Sequence, residues 1–102
     1  MIKITAPNIV QQERKWYVSG DLLMDNASEL LLKSESLSMN DEFVVDFSRV
    51  TKVDTAALSL MMEWQRRASV SASKVSFANL PTNLSNLVTL YGVAEFVPLS
   101  AT

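Results

Sequence analysis

The segment Phe43-Val44-Val45-Asp46-Phe47 is almost unbroken in apolar character, and a few residues later the pattern changes to a helical period. A run of this kind suits a central strand covered on both faces. From Asp54 onward the chain reads as an amphipathic helix. On a wheel at ~100° per residue, Ala57, Leu60, Met61, Trp64 and Ala68 share one face, and Ser59, Glu63, Arg66 and Arg67 fall roughly opposite. Leu58 and Met62 lie together on a flank. The strand is expected to stop at Phe47, with Ser48 to Lys52 a short link and Val53 turned back toward the core. The helix is expected to end between Ser69 and Ser73. A buried strand feeding such a helix is the building unit of a layered α/β domain.

The rest of the chain extends that unit on both sides. Ile2-Lys3-Ile4-Thr5 alternates like a strand, is interrupted at Pro7, and can resume at Ile9-Val10. Gln11 to Arg14 is polar and suits a turn, and Trp16-Tyr17-Val18 reads as a second strand stopped by Gly20, so a hairpin is expected here. Asn26 followed by Glu29 has the spacing of a capping box, with Leu30, Leu31, Leu32 and Leu37 as the helix's apolar residues and Ser34 to Asp41 as its polar end. Lys74-Val75-Ser76-Phe77-Ala78 alternates as a further strand. Thr82 is an expected N-cap for a third helix bearing Leu84, Leu87, Val88 and Tyr91, closed by Gly92. Val93, Phe96 and Val97 pack a short tail that can form an edge strand. The order is β-β-α-β-α-β-α, and the opening hairpin argues for a mixed sheet rather than a wholly parallel one.

Composition narrows the chemistry. The 102 residues suit a single domain spanning 1–102, large enough for one ordinary core. No cysteine and no histidine occurs, which removes thiolate chemistry, disulfides, the commonest general base and the commonest metal ligand. Only Gly20 and Gly92 are available, too few for a phosphate-cradling loop. The net charge of −2 and the scattered basic residues do not make a nucleic-acid footprint. No apolar run approaches the ~18–20 residues that span a bilayer, and Met1-Ile2-Lys3-Ile4 does not open a signal peptide, so the cytosol is the expected compartment. No cofactor or metal site is expected. Trp16 and Trp64 are expected in the core. Asp46 can pair with Arg49 or cap a turn. A hydrolase built on Asp46 and Asp54 as an acid/base pair is conceivable chemistry, but nothing in the sequence supplies it with a pocket.

The residues that draw attention are Asp54 and Thr55. They stand after a buried strand and before a helix, at the edge of an α/β sheet where ligands usually bind. A helix N-terminus leaves free N–H groups and favours anions, including a phosphate on Thr55. The same residue types also serve as ordinary N-caps, and the local chemistry allows either role. Leu58 and Met62 stand open in the same way: core contacts with a neighbouring helix, or an apolar strip for a partner. Glu63, Arg66 and Arg67 would be the rim of that strip or simply a solvated helix face.

The sequence as a whole resembles the STAS domain family, the fold of bacterial anti-sigma-factor antagonists and of several transporter-associated modules. The matching residues are Ser19-Gly20-Asp21-Leu22, Val44-Val45-Asp46-Phe47-Ser48, Val53-Asp54-Thr55-Ala56-Ala57-Leu58, the Leu80-Pro81 break and Leu90-Tyr91-Gly92-Val93. The resemblance runs from about Ile9 to Pro98. The Val-Asp-Thr sequence and the Leu-Tyr ending of the third helix are most similar to the MlaB branch, the small STAS subunits of phospholipid-trafficking ABC transporters.

The resemblance implies an α/β fold, a mixed sheet of four to five strands with about three helices packed on one side, and no catalytic activity. It implies a protein-interaction module that supports the ABC ATPase of an Mla-type transporter maintaining outer-membrane lipid asymmetry. The chain would then be cytoplasmic and peripheral to the inner membrane through that partner. Asp54, Thr55, Leu58 and Met62 would be the partner-binding residues, with Thr55 at the contact and Asp54 orienting the turn. In antagonists the motif reads Asp-Ser-Ser/Thr-Gly, and a hydroxyl after the aspartate is phosphorylated by an anti-sigma factor kinase. Here Ala56 and Ala57 replace the second hydroxyl and the glycine, leaving Thr55 as the one possible phosphorylation site. The alternative function implied is an anti-sigma-factor antagonist switched at Thr55.

Overall fold

The computed structural model describes residues 6–100. The expected strand at Ile2 to Thr5 lies outside the described residues. The chain forms β1 (Asn8–Gln12), β2 (Lys15–Leu22), α1 (Ala27–Ser34), β3 (Glu42–Val53), α2 (Thr55–Val70), β4 (Lys74–Ala78), α3 (Thr82–Leu90) and a short 3-10 turn (Ala94–Phe96). The strands form one four-stranded sheet in the order β1-β2-β3-β4. β1 and β2 are an antiparallel hairpin, and β2, β3 and β4 run parallel. Right-handed crossovers place α1 and α2 on the same side of the sheet. α1 and α3 both touch α2.

Alternation along the strands builds the core. Trp16 on β2 stands beside Val45 on β3, which stands beside Phe77 on β4, all on the helix side and all buried. α2 adds Ala57, Leu60, Met61, Trp64 and Ala68, the face read from the wheel. The aromatic rings interlock: Trp16 lies 4.6 Å from Phe43 and meets Trp64 edge-on at 6.0 Å. Burying each such side chain contributes roughly 1.5–3 kcal/mol. The indole N–H groups also find partners, since Trp64 Nε1 donates to Ser34 Oγ at 2.9 Å and Trp16 Nε1 to Ser38 O at 3.4 Å.

Several boundaries differ from the sequence pattern. β3 does not stop at Phe47 but continues through the supposed link to Val53. Two register shifts against β2, one opposite Tyr17/Ser19 and one opposite Gly20/Asp21, break the alternation there. Bulges of this kind re-aim side chains and so hide a strand from period-2 reading. Likewise β2 runs through Gly20 to Leu22. Gly20 has φ +83, and a Cβ on it would lie 2.4 Å from Ala6 O, so glycine here admits a passing backbone rather than ending a strand. The hairpin turn is only Glu13-Arg14, and Gln11 and Gln12 belong to β1.

α3 starts with Pro81 in the cap position, and Thr82 is its first helical residue rather than its cap. Tyr91 is exposed rather than packed. The tail makes a 3-10 turn and one parallel bridge, Leu99 to Phe77, with Val97 buried and Phe96 exposed.

Candidate functional site

The β3–α2 junction is built around one carboxylate. Asp54 occupies the N-cap of α2 in an extended conformation, and its Oδ1 accepts from Ala56 N–H at 2.8 Å. Its Oδ2 accepts from Met24 N–H at 2.9 Å, in the turn that leads into α1. The backbone adds a third tie, Asp54 N–H to Leu22 O at 3.3 Å. Asp54 therefore does more than cap its own helix: it fastens the β2–α1 turn to the start of α2.

Thr55 follows as the first residue of α2 and is half-buried. Its hydroxyl has no hydrogen-bond partner among the described residues. Successive positions at four- and three-residue spacing share a helix face, so Thr55, Ser59, Met62 and Arg66 form one ridge. Beside that ridge runs a cleft of about 350 Å³ between α1 and α2, lined by Met24, Leu31, Thr55 and Ser59 among others. Met24 is 72% exposed at its mouth.

The flank pair separates. Met62 is 39% exposed and lies on the ridge, whereas Leu58 is 6% exposed and belongs to the core. Leu58 thus takes the packing role and Met62 is the exposed apolar residue of the flank, while the exposed Met24 at the mouth of the cleft is a residue the sequence pattern does not single out. A methionine in a turn carries no periodic signal, so only the closeness of the two turns could reveal it.

The charges of α2 are not a free solvated face. Glu63 takes a forked bond from Arg66, at 2.8 Å and 2.6 Å, and a further one from Arg67 at 3.3 Å. The bond and charge of Arg66, with those of Arg67, hold the Glu63 carboxyl down to about 2, against the opposing push of its partial burial. Arg67 also reaches Ser34 Oγ at 3.2 Å and Glu35 at 3.3 Å, which ties α2 to the end of α1.

Asp46 neither pairs with Arg49 nor faces Asp54. Its oxygens accept from Ser48 N–H and Asn79 Nδ2, both at 2.8 Å, while Arg49 sits over the Tyr17 ring at 4.6 Å. Burial pushes the Asp46 carboxyl up, but the bonds from Ser48 and Asn79 and the charge of Lys15 outweigh it and leave it below its ordinary value. Asp46 and Asp54 are separated by the remaining length of β3, on the order of 20 Å at ~3.3 Å per residue less the bulges. The acid/base pair is therefore ruled out by distance. Among the described residues no group of three or more carboxylates is placed to hold a metal, and no helix is long and apolar enough to cross a membrane.

Comparison with known proteins bears on this arrangement. A family model described as "Mlab, STAS domain" matches residues 8–99. No curated protein matches the chain. Among solved structures, that of the anti-sigma factor antagonist SpoIIAA in its unphosphorylated form superposes with a TM-score of 0.71 at 13% identity, covering 94% of this chain and 89% of that one. An anti-sigma factor antagonist from Mycobacterium paratuberculosis gives a TM-score of 0.67 at 16% identity, covering 95% and 86%. At such identities the likeness is one of fold.

Proposed function

The chain belongs to the STAS family, and on that premise we propose that it works by binding another protein, as the small STAS subunit docked on the ATPase of an Mla-type phospholipid-trafficking ABC transporter. In this reading residues 1–102 act as one non-catalytic domain. It sits at the cytoplasmic face of the inner membrane through the ATPase, and the transporter maintains outer-membrane lipid asymmetry. Thr55 is the centre of the contact, Met62 its apolar neighbour, Asp54 the residue that holds the turn, and Leu58 the packing beneath. The observation that carries the reading is the ridge itself: an unbonded hydroxyl and an exposed methionine on a firmly capped helix, beside a cleft edged by Met24. Such a surface is rigid and partly apolar, which suits a protein contact.

The test is co-purification with the cognate ATPase. Thr55→Glu places a negative charge in the first turn of α2, where the helix dipole favours it, so the fold is retained. Recovery of the complex is expected to fall by about tenfold or more, because the charge would be buried unpaired in the contact. An unchanged complex would place the docking surface elsewhere.

A second reading rests on the same hydroxyl. The solved structures of similar fold are named as anti-sigma factor antagonists, and a phosphate on Thr55 would meet the N-terminal end of α2, which favours anions. Incubation with an anti-sigma factor kinase followed by mass spectrometry decides it; no phosphate on Thr55 rejects this reading.

A further inference from the structure

β1 forms one edge of the sheet. Gln12 and Lys15 close the two-residue hairpin turn, and Val44 N–H donates to Arg14 O at 2.9 Å, so Arg14 turns toward β3. Alternate residues of a strand face opposite neighbours. Lys15, Tyr17 and Ser19 therefore turn toward β1, and their partners Gln12, Val10 and Asn8 turn toward β2. That leaves Ile9 and Gln11 with N–H and C=O groups pointing away from the sheet, where no turn or loop among the described residues bonds them. β1 has no charged residue, no proline and no bulge, and Val10 at its centre is 40% exposed. An edge of that kind is a template for another strand.

The strand that fits this edge is β1 of a second copy. About a two-fold axis through Val10, Ile9 lies opposite Gln11 of the copy and Gln11 opposite its Ile9, so four backbone bonds form and the two Val10 side chains meet. Moving the axis to Ile9 puts Pro7, which has no N–H, in a bonding position. Moving it to Gln11 calls on Glu13, which is in the turn at φ 58. One side chain stands in the way of the pairing. Asn8, Val10 and Gln12 alternate with the core residue Ile9, so their side chains lie on the face away from the helices. α1 is on the helix side, where its Ser34 Oγ accepts from Trp64 of α2. Lys33 Nζ of α1 nevertheless donates to Asn8 Oδ1 at 2.9 Å. The sheet closes the direct route, so the lysine reaches that oxygen by passing round the outer edge of β1.

Lys33 is exposed, and among the described residues it makes no close ion pair. An added copy of β1 would set its Gln12 opposite Asn8, with its Glu13, Arg14 and Lys15 close by, one carboxylate against two cations. That turn does not neutralise Lys33, and burying the ammonium beside it is unfavourable, twice over by symmetry. Lysine at a strand edge is one of the ways in which folded proteins keep edges apart. We propose that Lys33, held by Asn8, is a guard that keeps the β1 edge of this chain from pairing with the β1 edge of a second copy. The guard does not depend on the Thr55 ridge.

The test is sedimentation equilibrium of the full chain from about 10 µM to about 1 mM, a range that reaches weak self-association. Amide spectra of isotope-labelled protein are recorded at both ends of that range. Asn8, Val10 and Lys33 are all exposed, so substitutions there keep the fold. The parent chain and Lys33→Arg are expected to remain monomeric. Lys33→Met keeps an apolar stem and removes the charge, so it is expected to dimerise at least about tenfold more tightly than the parent. Its amide shifts with concentration are expected at Ile9, Val10 and Gln11. Asn8→Ala frees the lysine without removing it and is expected to fall between the two. Adding Val10→Lys to Lys33→Met is expected to restore the monomer. A Lys33→Met chain that stays monomeric throughout, or a parent or Lys33→Arg chain that dimerises as tightly as Lys33→Met, would overturn the proposal. So would concentration-dependent shifts confined to β4 and the tail, which would place self-association at the opposite edge.

Discussion

α1 and α2 each begin at a short polar residue, Asn26 and Asp54, and the two side chains do different things. Asp54 caps the helix it precedes, through Ala56 N–H. Asn26 makes no cap bond to its own helix; its Oδ1 turns back to accept from Leu23 N–H at 3.0 Å. The winding of α1 in fact starts earlier, because Ala27 N–H already bonds Leu23 O, a four-residue step. The next N–H of that first turn, Met24, is satisfied by Asp54 Oδ2. One carboxylate thus serves the N-termini of two helices. The stronger helix holds its own start, and the weaker one borrows its cap from a residue thirty positions away. The two turns that edge the candidate contact surface are thereby held together.

The largest effect expected is for Asp54→Ala. It removes both caps at once and should cost about 2–3 kcal/mol in denaturant unfolding, given ~1 kcal/mol for each bond and the penalty of unpaired N–H groups. Asp54→Asn separates the two roles: one carbonyl oxygen can keep Ala56 or Met24 but not both, so the cost should be about 1 kcal/mol. Asn26→Ala removes only the Leu23 bond, and should cost less than Asp54→Asn. A cost for Asn26→Ala equal to that of Asp54→Ala would break the comparison.

The C-termini repeat the contrast more mildly. α2 and α3 close in the same way: Ser73 N–H bonds Ala68 O and Ala72 N–H bonds Ser69 O, as Val93 and Gly92 bond Val88 and Thr89. This is the Schellman arrangement. Its left-handed residue is Gly92 at φ 65 in α3 but Ala72 at φ 55 in α2. Ala72→Gly should therefore stabilise the protein by about 0.5–1 kcal/mol, and Gly92→Ala should destabilise it by a similar amount. Thermal unfolding of the two variants measures both signs.

The smallest effect lies on the outer side of α2. Glu63 titrates at about 2 in the folded chain, below its ordinary value of 4.5. A folded value below the unfolded one gives stability that is present above pH ~4.5 and is lost as the pH falls toward 2. Its Arg66 partner is 64% exposed, so screening keeps the contribution small. Glu63→Gln should flatten the acid limb of a stability–pH curve slightly, lowering stability a little near pH 7 and converging with the parent chain toward pH 2.

Much of the fold could be read from the residues because burial imposes period. Ala57, Leu60, Met61, Trp64 and Ala68 fall on one side of a wheel because that side meets the sheet. Val75 and Phe77 alternate with Lys74 and Ser76 because one face of β4 is in the core. The errors came where the period is interrupted for a tertiary reason. β3 looked finished at Phe47 because two bulges against β2 shift its facing, and β2 looked finished at Gly20 because that glycine makes room for the Ala6 backbone. The candidate site was legible in part. Asp54 and Thr55 stand out at a change of period, but Leu58 and Met62 are four residues apart on one flank, and the wheel does not say that the first is buried and the second exposed.

The sequence by itself determined the order of strands and helices, the apolar faces that must meet, and the exclusion of thiol, histidine and glycine-loop chemistry, since these follow from residue type and local spacing. The tertiary structure alone decided that Asp54 caps two helices, that Leu58 is buried while Met62 is exposed, and that Met24 edges the cleft between α1 and α2. Each of those depends on groups distant in sequence and adjacent in space. A hydrogen bond or an exposed edge is a property of the pair and its surroundings, and no single-chain pattern carries it.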